Sequence, residues 1–296
     1  MQKKYFNKVE LDSKPRDVVL QEIKDEIGSP EMSEFESAFL CGLIKSKKPK
    51  KIVEIGVAEG GTTAIILECL KESFQDEIIE MYSLDYSQKC YCNPSKQTGY
   101  LAIKKIEETK NQIKHQFKLG DVAPRYLKEI GDEIDFIILD TLHVLPGEIL
   151  DFLAILPLMS KNATVVLHDT SAHHITSSMQ QICTQVLMDT VVAEKYIMED
   201  PSRKGKIPNI SAFQITDDTR KYIGNVFMAL TLPWDMLQSD SEMELYHKWY
   251  QTYYEEEFIK WYEHACEAYY TLRKQIESWP KRMRNIARII YRGKSY

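Results

Sequence analysis

Acidic residues stand at or beside the ends of five apolar segments of this sequence. They are Glu54, Asp85, Asp121, Asp140 and Asp169, and each segment is predicted to form a β-strand. In open α/β sheets, ligands bind beyond the carboxyl ends of the strands. Each acid alone could instead be the N-cap of the following helix. Together the five predict a polar, acidic crevice that binds a small ligand.

The segment Lys51–Thr63, KIVEIGVAEGGTT, predicts a strand, a tight turn and a helix N-terminus in succession. Gly56 lets the chain turn, while Gly60 and Gly61 would let a ligand approach the backbone. Free N–H groups at the helix start favour an anionic group, and Thr62 adds a hydroxyl donor. The E-x-G-x-x-x-G spacing differs from the G-x-G-x-x-G of dinucleotide enzymes, which argues against a nicotinamide cofactor. The alternative is that the glycines only form a tight turn.

Asp85 follows the second predicted strand, after the glycine loop. A carboxylate at this position can accept hydrogen bonds from both hydroxyls of a ribose. Glu54 and Asp121 are expected to flank the same pocket. The implied ligand has a ribose, an adenine-like base and a small charged tail.

The elements that position these residues alternate along the chain. The predicted strands are Ile52–Gly56, Ile78–Asp85, Gln116–Gly120, Ile134–Asp140 and Ala163–Asp169. The predicted helices are 15–27, 31–47, Gly60–Ser73, Lys96–Lys110, Ala123–Ile130, Pro146–Met159 and Ile175–Asp189. This alternation predicts an α/β fold with a doubly wound, mostly parallel sheet. Asn209–Ile215 and Asn225–Leu232 are predicted to form an antiparallel pair at the sheet edge.

The ordered set of motifs resembles the class I S-adenosylmethionine-dependent methyltransferases over roughly Glu34–Leu232. The motifs are V-E-I-G-V-A-E-G-G-T-T, the acid of Y-S-L-D-Y, and Gly120–Asp121–Val122. The resemblance extends to the small-molecule branch of catechol and macrocin O-methyltransferases and to the cephalosporin-hydroxylase-like group. It implies a Rossmann-like fold and S-adenosylmethionine as cofactor. The cofactor-binding residues that it implies are Glu54, Gly56, Gly60, Thr62, Asp85 and Asp121.

The resemblance also implies a metal site. Metal-dependent members of this branch carry an acid after strand four and an acid followed by an acid or amide after strand five. Here those positions hold Asp140 and the pair Asp169–Thr170, which would bind a hard divalent cation, above all Mg²⁺. Thr170 departs from the family pattern, because a hydroxyl is a weaker ligand. The alternative is that Asp140 and Asp169 only orient loops.

His143 lies three residues after Asp140, where related enzymes place a general base. A histidine of near-neutral pKa could accept the acceptor's hydroxyl proton, so His143 and Asp140 are the predicted catalytic residues. The alternative for His143 is a loop histidine packed on the sheet. We expect His168 to be a core or supporting residue, and His173 with His174 to be a solvated helix start.

The composition narrows the functional class. A length of 296 residues with 44% hydrophobic content permits a catalytic domain over 1–232, with a helical N-terminal cap over 1–48, and a helical extension over 233–296. The net charge of −6 gives no general attraction to nucleic acid. The N-terminus lacks a secretory signal, no apolar run could span a bilayer, and the six cysteines form no C-x-x-C pair. A cytoplasmic protein with reduced thiols is therefore predicted.

The last part of the chain is aromatic and then basic. Aromatic residues over 245–279 recur at helical spacing, which predicts packing against the main domain or, in a homodimer, against a second subunit. The final segment Lys281–Tyr296 is basic and could form a helix on an anionic membrane surface. A solvated terminus is the favoured interpretation.

The sequence therefore predicts a metal-assisted, S-adenosylmethionine-dependent O-methyltransferase that acts on a hydroxyl of a small molecule or glycan precursor. Two alternatives stay open at this point: a hydroxylase of the cephalosporin-hydroxylase-like type, and a non-catalytic cofactor-binding scaffold subunit. The sequence does not identify the acceptor. Its specificity is expected in the helices before strand one, the loop near 201–208 and the tail.

Overall fold

The computed structural model describes residues 6–23, 32–73, 78–176, 179–235 and 239–278. Over these ranges one sheet contains seven strands, namely β1 (Lys51–Ile55), β2 (Ile79–Asp85), β3 (Ile113–Leu119), β4 (Ile134–Leu139), β5 (Met159–His168), β6 (Glu194–Tyr196) and β7 (Ile210–Gln214). The helices before β5 are α1 (Lys14–Ile23), α2 (Glu34–Lys47), α3 (Gly61–Ser73), α4 (Ile103–Thr109), α5 (Pro124–Ile130) and α6 (Gly147–Ile155). Those after it are α7 (Ala172–Ile175), α8 (Cys183–Thr190), α9 (Asp217–Lys221), α10 (Gly224–Ala229), α11 (Asp240–Tyr253) and α12 (Glu256–Ser278).

The strands follow the order β3-β2-β1-β4-β5-β7-β6. Strands β1 to β5 pair in parallel, whereas β7 pairs antiparallel with both β5 and β6. The predicted doubly wound sheet with an antiparallel edge strand is confirmed. Since β1 lies between β2 and β4, the direction of winding reverses there. The carboxyl ends of β1 and β4 therefore form the crevice in which ligands of such sheets bind.

Both faces of the sheet are covered, as the apolar runs predict. Ile137 and Leu139 of β4 pack into the core shared with α5, α6 and α8, whereas Ile138 between them packs into the core shared with α2 and α3. All three side chains are fully buried. This alternation follows from the two-residue repeat of a strand. The burial of both faces fixes the positions of the strand ends that carry the acids.

Three predictions of secondary structure are wrong. The predicted helix Ile175–Asp189 is not one helix, because α7 ends at Ile175 and α8 begins at Cys183. Asn225–Leu232, predicted as a strand, contains α10, because Val226, Phe227 and Leu230 place their apolar side chains on one buried helical face. The outer partner of β7 is instead β6, whose three residues are too few to give a periodic pattern. The predicted helix Lys96–Lys110 begins later, after Gly99, which adopts φ +79.

The C-terminal helices pack on the main domain through aromatic side chains, as predicted. The Trp249 Nε1 donates to the Ala154 carbonyl at 2.7 Å, and the Tyr250 and Tyr254 hydroxyls donate to other carbonyls of α6 at 2.8 and 2.6 Å. The α11 helix is thereby attached to α6, which follows the β4 strand end. The basic segment Lys281–Tyr296 lies outside the described residues.

None of the helices in the described ranges is long and apolar enough to cross a membrane. All six cysteines are free thiols. A cytoplasmic location and a homodimer stay predictions.

Candidate active site

A cavity of about 800 Å³ opens at the carboxyl ends of the parallel strands. The predicted site residues that line it are Gly56, Thr62, Asp85, Asp121, Asp140, His143 and Asp169. The structure thus brings together residues from the ends of β1 to β5. Three other predicted residues, Glu54, Gly60 and Thr170, do not line the cavity wall.

The glycine loop between β1 and α3 is held tightly against neighbouring backbone. Gly56 adopts φ +97, and a Cβ there would lie 1.7 Å from the Asp140 carbonyl oxygen. Gly60 adopts φ +92, and its Cβ would lie 2.8 Å from the Gly99 Cα. Both glycines are therefore required by backbone packing. A Cβ on Gly61, at the start of α3, would meet no atom within 4 Å, so packing does not require this third glycine.

The Asp85 carboxylate is fixed by the same loop. Its Oδ2 accepts hydrogen bonds from the Val57 and Ala58 N–H groups at 2.9 and 3.1 Å, and its Oδ1 accepts one from Ser87 N at 2.7 Å. A carboxylate offers about four acceptor positions, so these three bonds leave capacity for a ligand hydroxyl. Asp85 is thus a preorganised acceptor at the end of β2.

Asp121 lies at the end of β3 with a cation beside it. Its Oδ2 accepts a hydrogen bond from Arg125 Nε at 2.9 Å, and its Oδ1 accepts one from the Val122 N–H at 2.9 Å. Val122 and Ala123 also line the cavity. This part of the wall combines one acceptor with apolar surface, an arrangement suited to a flat heterocyclic base.

Glu54 lies beneath the glycine loop. Its Oε2 accepts hydrogen bonds from the Thr63 and Ser83 hydroxyls, both at 2.7 Å. The side chain is fully buried, and burial raises its pKa to about 8, against the lowering by these two bonds. Glu54 therefore connects β1, α3 and β2, which places it as a positioning residue for the loop.

Two acids and two histidines meet at the ends of β4 and β5. Asp140 Oδ1 lies 3.0 Å from His168 Nδ1 and 3.6 Å from His143 Nε2, and the same His143 nitrogen lies 3.0 Å from Asp169 Oδ2. One ligand atom from each of Asp140, His143 and Asp169 lies within 4.8 Å of the others. These three residues form a group that could hold a metal ion.

The backbone that presents this group adopts unusual conformations. His143 and Asp169 have φ values of +59 and +56, a left-handed region in which side-chain-bearing residues are uncommon. Glu148, in the first turn of α6, holds the backbone of His143 in place. Its Oε1 accepts hydrogen bonds from the His143 N–H and the Thr141 hydroxyl, both at 2.8 Å. Backbone strain of this kind is concentrated at functional sites.

The charge state of His143 differs from the prediction. Burial alone would lower its pKa, but the carboxylates of Asp169, Glu148 and Asp140 raise it to about 10. Burial likewise opposes the shift of Asp169, whose pKa is nevertheless lowered to about 2 by His143, His168 and Asn209. These carboxylates favour the imidazolium form of His143 near neutral pH, whereas the sequence-based prediction was a near-neutral pKa.

The sequence did not reveal the residues that support this group. Asn209 Nδ2 donates to Asp169 Oδ1 at 2.6 Å and to Glu36 Oε1 at 2.9 Å, and Arg203 Nη2 donates to the same Glu36 oxygen at 2.6 Å. Glu36 Oε2 also lies 3.6 Å from His168 Nε2. Glu36, an acid between Phe35 and Phe39, was the one sign of this network in the sequence. A charge on an apolar helix face requires a partner.

Thr170 does not join the other predicted metal ligands. Its hydroxyl donates to the Pro208 carbonyl at 3.3 Å, and its N–H donates to the Asn209 carbonyl at 3.0 Å. Pairing with the segment before β7 therefore fixes the side chain. The structure supplies His143 in place of Thr170 as the third potential ligand.

Comparison with known families identifies the central part of the chain. Residues 53–170 match the model of a family described as a methyltransferase domain. No curated protein sequence matches this chain. Residues 53–170, from within β1 to just past β5, are therefore a methyltransferase domain, which confirms the predicted resemblance.

Several solved structures are similar in fold. The O-methyltransferase TomG from Streptomyces achromogenes, solved with SAM, has 14% identity and a TM-score of 0.47, over 70% of this chain and 92% of that one. The SAH-bound methyltransferase of Podospora anserina has 16% identity and a TM-score of 0.46, over 69% and 88%. The Bacillus cereus O-methyltransferase, also with SAH, has 16% identity and a TM-score of 0.43, over 69% and 91%.

Proposed function

We propose that this methyltransferase domain binds S-adenosylmethionine and methylates a hydroxyl group of a small molecule or glycan precursor. The observation that carries the proposal is the composition of one cavity. Asp85 and Asp121 supply acceptors for a nucleoside, and the group Asp140, His143 and Asp169 supplies acid–base and metal-binding side chains. The proposed cofactor site and the proposed proton-transfer site thus share one cavity.

The cofactor half follows from the strand ends. The fixed carboxylate of Asp85 would accept the ribose hydroxyls, as acids at this position do in related sheets. Thr62 and the open N-terminus of α3 would face the charged methionine part, and Asp121 with Val122 would face the adenine. S-adenosylmethionine supplies an already activated methyl group, so the protein must chiefly align the acceptor and remove one proton.

The donor set at β4 and β5 fits a divalent cation. Asp140 and Asp169 offer carboxylate oxygens of the kind that Mg²⁺ or Mn²⁺ prefers, and the imidazole of His143 suits Mn²⁺ or Zn²⁺ better than Mg²⁺. When bound, such an ion would supply Lewis-acid polarisation of the acceptor hydroxyl. We therefore extend the predicted Mg²⁺ to divalent cations that accept a nitrogen ligand.

The same residues would remove the proton from the hydroxyl group of the methyl acceptor. His143 can accept a proton only after it has lost its own, because Asp169 and Glu148 hold it in the charged form. Weakening of its pairing with Asp169 would lower its pKa toward the ordinary range. The Asp140 carboxylate, whose Oδ1 lies 3.6 Å from His143 Nε2, is the alternative group to take up this proton.

Hydroxylation on the same fold has one observation in its favour, since the structure brings two histidines near two carboxylates. However, His168 Nδ1 is bonded to Asp140, and its Nε2 faces Glu36. His168 is therefore occupied as a supporting residue and does not complete a two-histidine, one-carboxylate iron site. Methyl transfer is the better-supported reaction.

Calorimetry with purified protein tests the proposal. S-adenosylmethionine and its demethylated product, S-adenosylhomocysteine, should each bind saturably to one site, and NADH should not bind. The absence of binding by both sulfur nucleosides at millimolar concentration would contradict the proposed function, whatever the acceptor is.

A further inference from the structure

Two helices outside the strand-end cluster contribute acids to the cavity wall. They are α6, which carries Asp151, and α11, which carries Glu242 and Tyr246. Residues four apart on a helix share one face, so both α11 side chains can reach the same space. The C-terminal extension is therefore part of the pocket that must hold the acceptor.

Asp151 is a buried carboxyl with unused acceptor capacity. Its side chain is only 8% exposed, and its Oδ1 accepts a hydrogen bond from the Tyr246 hydroxyl at 2.6 Å. Its Oδ2 has no hydrogen-bond or ion-pair partner in the part of the chain that the structure describes. Burial raises the pKa of this carboxyl to about 7. A buried acid in this state is stabilised by any cation that enters the cavity.

Glu242 adds a second acid at this wall. Its Oε2 accepts the Ser239 N–H at 2.6 Å, and its carboxylate lies close enough to Tyr86 to raise the pKa of that hydroxyl. No lysine, arginine or histidine pairs with Glu242 within the described ranges. Its Ser239 contact belongs to the capping box of α11, so the helix N-terminus, and not a cationic side chain, offsets its charge.

Three other acids of the cavity wall, unlike Asp151 and Glu242, are paired with basic side chains. Asp121 is paired with Arg125, and Asp140 and Asp169 are paired with histidines. Arg203 is the one lysine or arginine among the described lining residues, and it is already bonded to Glu36 and Asp200. The wall formed by Asp151 and Glu242 thus offers carboxyl oxygens without a lysine or arginine to pair with them among the described residues.

We propose that the acceptor carries a protonated amine, which Asp151 and Glu242 bind while its hydroxyl faces the strand-end cluster. This inference rests on the proposed function and names the acceptor class: small hydroxylated amines, amino sugars among them. An ammonium would donate to the free oxygen of Asp151 and keep that carboxyl charged. A carboxylate or phosphate in the same place would be repelled by both acids. Tyr246 is a positioning residue, because its hydroxyl occupies Oδ1 and leaves Oδ2 as the oxygen available to an ammonium.

The test uses three phenols of similar size that differ in the charge of the tail: tyramine, 4-ethylphenol and 4-hydroxyphenylacetate. Each is titrated by calorimetry into protein saturated with S-adenosylhomocysteine. Tyramine should bind roughly 10- to 100-fold more tightly than 4-ethylphenol, as expected for a charge-assisted hydrogen bond, and 4-hydroxyphenylacetate should bind most weakly.

Matched variants assign the preference to these side chains. Asp151→Asn should abolish the preference for tyramine while keeping an oxygen that accepts the Tyr246 hydroxyl, and Glu242→Gln should reduce it. Glu244→Gln changes an exposed acid of the same helix and should have no effect. Retained binding of S-adenosylhomocysteine shows that each variant is folded.

Equal affinities for the three phenols, no binding of any of them, or an unchanged preference in Asp151→Asn would overturn the inference. These outcomes are separable from failure of the proposed function. If S-adenosylhomocysteine itself does not bind, the proposed function fails, whereas if it binds and no charge preference is seen, only the acceptor class is wrong.

Discussion

His143 Nε2 lies 3.0 Å from Asp169 Oδ2, a contact between residues that follow two adjacent parallel strands. Both residues have left-handed backbone conformations. The contact joins a predicted catalytic residue to a predicted metal ligand. A proton on His143 and a divalent cation bound at Asp169 would therefore compete for the same carboxylate.

The charge of His143 should be visible in the pH dependence of stability. Its folded-state pKa of about 10 exceeds the ordinary value of 6.5. Its protonation therefore stabilises the fold fully below pH 6.5, and this contribution is lost as the pH rises through about 10. The free energy of unfolding of the wild type should thus decline between pH 7 and 10 more steeply than that of His143→Gln. Denaturant unfolding measures both curves, and parallel curves would show that His143 is not charged in the folded protein.

Metal binding should be coupled to release of a proton. A ligand histidine must be neutral, so Mn²⁺ affinity should rise with pH over the range in which His143 would otherwise stay protonated. Asp169→Ala should lower Mn²⁺ affinity by at least about tenfold, while Asp189→Ala, which changes an exposed acid on α8, should not. Electron paramagnetic resonance of free Mn²⁺ reports the affinity. If Asp169→Ala binds Mn²⁺ with wild-type affinity, the metal does not bind at the group formed by Asp140, His143 and Asp169.

Asp85 should contribute to cofactor affinity through charge-assisted hydrogen bonds. Asp85→Ala should weaken S-adenosylhomocysteine binding by about 1.5–3 kcal/mol, measured by calorimetry. Asp135 provides a matched control, because its carboxylate likewise accepts backbone N–H groups, those of Lys50 and Lys51, but at the amino ends of β1 and β4. Equal losses in Asp85→Ala and Asp135→Ala would indicate a general loss of structure rather than a lost ribose contact.

Ionisation of Glu54 should lower the free energy of unfolding as the pH rises. Its folded-state pKa of about 8 exceeds the ordinary 4.5, since burial penalises the charged form. The unfolded chain therefore releases this proton first, and stability is lost between pH 4.5 and 8. Glu54→Gln keeps an acceptor for Thr63 and Ser83 and should lack this slope. Above pH 8 the variant should be the more stable protein, by on the order of a few kcal/mol, and identical pH profiles would refute this account.

The sequence predicted the strand ends well because buried strands have a strong local signature. Asp85, Asp140 and Asp169 were found in this way, since apolar runs ending in an acid are visible without knowledge of the fold. The bond from Asn209 to Asp169 could not be found, because it depends on β7 pairing beside β5. The same pairing turns Thr170 away from the cluster. The charge of His143 depends on Glu148 and Asp169, which only the folded loop places around it.

The most direct measurement is a crystal structure of the protein grown with S-adenosylhomocysteine and Mn²⁺. The ribose hydroxyls should lie within hydrogen-bond distance of Asp85, with the adenine beside Asp121 and the sulfur directed toward Asp140 and Asp169. Anomalous density for manganese should lie between these two acids. Density for the nucleoside only outside this cavity, or with its ribose remote from Asp85, would contradict the assignment of the cavity as a methyltransferase active site.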